Sequence, residues 1–75
     1  MKNNVELFRR DMHMTQEQLA LKANVSRLTI INIENGNYSD LKASTMSGIA
    51  RALGRSIDDC FYMPETSSTL NGKEE

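Results

Sequence analysis

The sequence predicts an all-α domain of five short helices around an aliphatic core, with the second and third helices forming a steeply crossed pair. Three observations predict it. Apolar residues recur at three- and four-residue spacing in successive short segments. Asn, Thr or Ser residues able to accept from free backbone N–H groups stand ahead of four of these segments. Residues that tolerate a left-handed backbone, Asn24, Asn35-Gly36 and Gly54, stand where helices must stop.

The first helix is expected from about Asn4 to Met12, with Val5, Phe8 and Met12 on one face and Asn3 or Asn4 as its cap. The second opens at Thr15, with Gln18 three residues on as in a capping box, and ends near Ala23. Ser26 caps a third helix that runs to about Asn35, with Ile30 and Ile33 turned inward. A polar loop, Asn37 to Leu41, leads to a fourth helix from about Lys42 to Leu53, whose inward residues are Ala43, Met46, Ile49, Ala50 and Leu53. Ser56 caps a short fifth helix, Ile57 to Phe61, whose first-turn acids suit the helix dipole. A short strand over Phe61-Tyr62-Met63 is the alternative there.

A chain of 75 residues holds one domain. Residues 1–63 are assigned to it and residues 64–75 to a flexible acidic tail, rich in Ser, Thr, Asn, Gly and Glu and opened by Pro64. With 5% aromatic residues and no Trp, the core must be built from Leu, Ile, Val, Met and Ala. No run approaches the roughly 18 apolar residues of a membrane span. Met1 to Asn4 is polar and lacks the apolar stretch of a signal peptide, so a cytoplasmic location is expected. The net charge of -1 hides an asymmetry. Residues 1–55 carry eight Lys or Arg against five acids, a surplus of +3, and residues 56–75 carry one Lys against five acids, a balance of -4. A mildly basic body permits nucleic-acid binding without requiring it.

Catalysis finds no support. His13 has no partner at triad or metal spacing and reads as a loop residue. Asp58-Asp59 reads as a helix-start pair, and Cys60, the single cysteine, as a half-buried small hydrophobe. There is no glycine-rich phosphate loop, and no cofactor or metal is expected.

The informative stretch is Gln16 to Gly36. Two short helices joined by a three- or four-residue turn cross steeply. Ala20 is small enough for the crossing, Asn24 suits the turn, and Val25, Ile30 and Ile33 anchor the second helix from beneath. Its other face then carries Leu28 and Ile31, apolar groups that a groove partner would explain better than the core of so small a domain.

From about Val5 to Phe61 the chain resembles the lambda-repressor-like, Cro- or XRE-type helix-turn-helix family. The resemblance rests on Arg9, Thr15-Gln16, Leu19-Ala20, Val25-Ser26, Ile30, Ile33-Glu34-Asn35-Gly36, Ile49-Ala50 and Leu53-Gly54 in that order. Asn24 stands where the family commonly has Gly, and the loop after Gly36 is about one residue longer and lacks the common Pro. The resemblance implies a sequence-specific transcription regulator, acting as a repressor and not an enzyme. It would bind a palindromic double-stranded operator as a homodimer through the major groove, in association with the nucleoid. It implies base contacts from Ser26, Arg27, Leu28 and Asn32, with Thr29 and Ile31 at the edge of that face. Arg27 suits guanine, Asn32 adenine and Leu28 a thymine methyl. Phosphate contacts are expected from Gln16, Arg10, Asn35, Asn37, Lys42 and Ser44. The resemblance makes Arg9 and Glu34 a structural ion pair. The dimer face is expected at Ile57, Phe61, Tyr62 and Met63, apolar groups otherwise hard to bury. The competing reading is a protein-interaction module of the same fold, such as an antitoxin or anti-repressor. The acidic tail favours it, and its protein partner would be unknown.

Overall fold

The structure is a computed structural model that describes residues 3–61. Tyr62, Met63 and the tail assigned to residues 64–75 lie outside the described residues. Five helices follow in order: α1 Val5–Asp11, α2 Gln16–Ala23, α3 Arg27–Glu34, α4 Ala43–Leu53 and α5 Ile57–Phe61. Among the described residues there is no strand.

The helix starts follow local chemistry. Thr15 Oγ1 accepts from Gln18 N–H at 3.0 Å while Gln18 Oε1 accepts from Thr15 N–H at 2.8 Å, a complete capping box. Ser26 Oγ accepts from Thr29 N–H at 3.1 Å, and Ser56 Oγ from Asp59 N–H at 3.0 Å. The stops are equally local: Asn24 (φ 61), Gly36 (φ 73) and Gly54 (φ 68) all take the left-handed conformation.

α1 is shorter than expected. His13 adopts φ 57, which turns the chain back so that Met14 N–H reaches Arg9 O at 3.1 Å. Met12 is left outside the helix as its cap and is 44% exposed. Neither expected Asn cap takes the form assumed. Asn4 is the N-cap but makes no side-chain cap bond. Its Nδ2 instead donates to Asp59 O and its N–H to Cys60 O, tying the start of the chain to α5. Asn3 Oδ1 accepts from Val5 N–H, and Asn3 Nδ2 donates to Ile33 O and Tyr38 Oη.

The core gathers Val5, Leu19, Ala20, Ala23, Ile30, Ile33, Ile49, Ala50, Leu53 and Cys60. It has no aromatic centre, and Phe8, Tyr38 and Phe61 pack at its margin. Two expectations change here. Ala43 is exposed, because as the first residue of α4 it precedes the part of the helix that meets the core. The Asn37 to Leu41 segment is not simply polar: Tyr38 and Leu41 pack against the core from above the end of α3. A third change is Cys60, expected to be half-buried and found fully buried where α5 closes on the core. Burial and neighbouring Asp59 push its thiol pKa up, with Arg55 opposing.

α4 lies close against α2. A Cβ at Gly48 would stand 2.9 Å from the Ala23 carbonyl oxygen, so only glycine fits where the two helices approach. This contact holds the end of α2, and therefore the turn into α3, against the body of the domain.

Candidate nucleic-acid interface

α3 is an apolar helix with a divided surface. Ile30 and Ile33 are buried to within 1% and seat it on the core. Arg27 and Leu28, one turn nearer its start, face solvent, and Leu28 is 64% exposed. A leucine that exposed on a helix otherwise anchored by isoleucines offers a contact surface outward. Asn32 and Ile31 are half-buried at the edge of this surface. The Asn32 carbonyl accepts from Asn37 N–H at 2.8 Å, which holds the following loop to the end of the helix. Ser26 is exposed, but its hydroxyl is engaged twice, accepting from Thr29 N–H and sharing a 2.8 Å hydrogen bond with Thr29 Oγ1.

The far end of α3 is built around a buried charge pair. Arg9 Nε donates to Glu34 Oε2 at 2.6 Å and Nη2 to Glu34 Oε1 at 3.2 Å, a bidentate arrangement. Arg9 Nη1 donates to Met14 O at 2.8 Å. The bond to Glu34 raises the Arg9 pKa above its ordinary value, outweighing burial. Gln16 Nε2 also donates to Glu34 Oε1, at 3.0 Å. One carboxylate therefore joins α1, the start of α2 and the end of α3.

Beside this knot lies an open cleft of about 490 Å³, lined by Glu6, Arg9, Arg10, Thr15, Gln16, Glu17 and Arg27. It brings Arg10 and Gln16, expected at phosphates, next to Arg27, expected at a base. Arg10 is exposed and pairs with Glu6 at 2.9 Å across one helical turn, a contact the four-residue spacing alone could have signalled. Asn35, Asn37, Lys42 and Ser44 are all exposed but line no part of this cleft. They follow α3, with Asn35 as its C-cap and Lys42 as the N-cap of α4. Of the residues expected at a dimer face, Ile57 is 38% exposed and Phe61 is half-buried against the core. Among the described residues no group of three or more His, Cys, Asp or Glu side chains is placed to hold a metal ion. None of the described helices is long and apolar enough to cross a membrane.

A helix-turn-helix family model matches residues 5–60. The chain belongs to the helix-turn-helix family of DNA-binding transcription regulators. Its match spans α1 to α4 and all but the last residue of α5 in this helix-turn-helix protein. It is 41% identical over 66 residues to an uncharacterized HTH-type transcriptional regulator of Methanothermobacter thermautotrophicus, covering 87% of this chain and 94% of that protein. It is 33% identical over 75 residues to the immunity repressor protein of Bacillus phage phi105, covering 95% of this chain but only 51% of the repressor. Among solved structures, a hypothetical transcription factor from Neisseria superimposes with a TM-score of 0.73 at 25% identity, covering 89% of this chain and 76% of the other. A chain of the SinR protein/SinI protein complex shares the fold, with a TM-score of 0.72 at 19% identity over 91% of this chain and 64% of that one.

Proposed function

We propose that this helix-turn-helix protein is a repressor that reads a palindromic operator as a homodimer, with α3 in the major groove. The observation that carries the reading is the divided surface of α3. Ile30, Ile33 and Glu34 fix the helix from below, and Arg27 and Leu28 project from its start without burial in their own chain. A guanidinium there can donate to both O6 and N7 of guanine, Leu28 meets a thymine methyl, and Asn32 pairs with adenine. Ser26, exposed at the same start of the helix and engaged there as a cap, is the remaining base contact of this reading. Arg10 and Gln16 at the cleft, with Asn35, Asn37, Lys42 and Ser44 beyond the other end of α3, bracket the reading helix with phosphate contacts on both sides.

A single module touches few base pairs, and two copies related by a two-fold axis extend the site. Ile57 and Phe61 form the described part of the proposed dimer face. The repressor assignment is supported by the likeness to a phage immunity repressor along nearly the whole chain.

Selection of binding sites from random double-stranded DNA tests this directly. The expected result is an inverted repeat, with half-sites about one helical turn apart. A direct single site would remove the dimer. Failure to retard any DNA at low salt, together with a co-purifying protein, would replace the regulator with an interaction module.

A further inference from the structure

We propose that Gln16 is a positioning residue that sets the selectivity of α3 through Glu34, and is not only a contact to the DNA backbone. The inference rests on the reading of α3 as the base-contacting helix.

The crossed pair α2–α3 is held at one end by the covalent turn, Asn24 to Ser26. Its opposite ends are Gln16, the first residue of α2, and Glu34, the last of α3. The 3.0 Å bond from Gln16 Nε2 to Glu34 Oε1 ties those two ends together. Glu34 is buried and held by Arg9, so it is a fixed anchor and not a mobile surface group. Gln16 is half-buried and borders the cleft that also holds Arg27. Its amide carries two N–H donors, and the bond to Glu34 uses one. The second leaves Gln16 able to hold a phosphate oxygen while still bound to Glu34. The position of the DNA strand is thereby registered to the end of the helix that reads the bases. A neutral donor is what the place requires: a carboxylate there would face Glu34, and an apolar side chain would leave the α2–α3 angle to core packing alone.

A backbone contact and a positioning residue give different signatures. Gln16→Met keeps the length of the side chain and removes its donors; Gln16→Ala serves as the second variant. For each, thermal unfolding establishes the folded fraction, and affinity is measured for the selected operator and for random DNA across a salt series. The expected result is a specific-to-random affinity ratio about tenfold lower, the size of one hydrogen bond to a charged acceptor. Random-DNA affinity should fall less, by the lost phosphate contact alone. An unchanged ratio, with both affinities falling together and the salt slope unaltered, as expected when a neutral donor to phosphate is lost, would make Gln16 an ordinary phosphate contact and overturn the proposal. A wild-type chain with no preferred site would instead overturn the reading of α3 itself, and this inference with it.

Discussion

The two ends of α3 obey opposite rules. At its start, Arg27 and Leu28 are exposed beside the Ser26 cap. At its end, Ile33 and Glu34 are buried, and side chains from three other places converge on them: Arg9, Gln16 and Asn3. The start is free to touch a partner because the end is not free to move. A reading helix must hold its side chains within fractions of an ångström of a groove it meets only transiently. In the proposed reading, that precision comes from the end of α3 remote from Arg27.

The largest expected effect comes from breaking the fixed end. Glu34→Ala leaves the Arg9 guanidinium, only 8% exposed, without its carboxylate. Removing one partner of a buried pair typically destabilises by about 3–5 kcal/mol. A single core in a domain this small rarely supplies more than about that amount. Glu34→Ala is therefore expected to unfold much of the protein at 25 °C, as read by circular dichroism in a urea series. A variant that retained a cooperative transition near the wild-type midpoint would show that the pair is peripheral to stability. Exchanging both partners, Arg9→Met with Glu34→Leu, should be far milder, because no charge is stranded.

The next effect belongs to the free end, and it is on binding and not on folding. Arg27→Ala is expected to lower operator affinity by about 1–3 kcal/mol and relax one operator position. Its stability should stay within about 0.5 kcal/mol of wild type, because the side chain is exposed. An unchanged preference in a randomised-site selection would remove Arg27 from the base contacts.

Ser26→Ala sits between these two cases. It takes away the Thr29 N–H acceptor at the start of α3, and loss of such a cap typically destabilises by about 1 kcal/mol. Thermal unfolding should register this loss, and the operator preference should shift less than with Arg27→Ala, because the Ser26 hydroxyl is already engaged by Thr29 and can add only a minor contact. A shift in preference as large as that of Arg27→Ala would mean that the cap also positions the reading residues.

How far the sequence reveals this division follows from the range of each interaction. The capping box at Thr15-Gln18, the Ser26 and Ser56 caps and the left-handed stops at Asn24, Gly36 and Gly54 all act within a few residues, and all are legible before any coordinates. They bound α2 and α3 at both ends, α4 at its stop and α5 at its start, while α1 is bounded by none of them. The Asn3 bonds to Ile33 O and Tyr38 Oη span 30 and 35 residues, and nothing near Asn3 announces them. The Gln16–Glu34 bond spans 18 residues and joins a residue read as a phosphate contact to one read as half of an ion pair. Gly48 gave no sign either, because its reason is the Ala23 carbonyl on another helix. Met12 and Ala43 fit an apolar period yet lie outside the core, since periodicity cannot tell where a helix's first and last turns leave the packed layer.

The smallest expected effect tests whether holding the DNA and reading it are separate tasks. Lys42 is exposed and stands as the N-cap of α4 without a side-chain cap bond, so Lys42→Ala should leave stability within about 0.5 kcal/mol of wild type. Its charge lies beyond the fixed end of α3, in the chain that follows the helix, where it can neutralise a phosphate but is not part of the exposed start that carries Arg27. Affinity should then fall equally for all sequences, and the dependence of log K on log salt should flatten by about 0.9, the value of one lost phosphate contact. Arg27→Ala, by contrast, should alter the preferred sequence. If Lys42→Ala changed which sequence is preferred, the loop after α3 would be steering the reading helix, and the fixed end would extend past Glu34 to the start of α4.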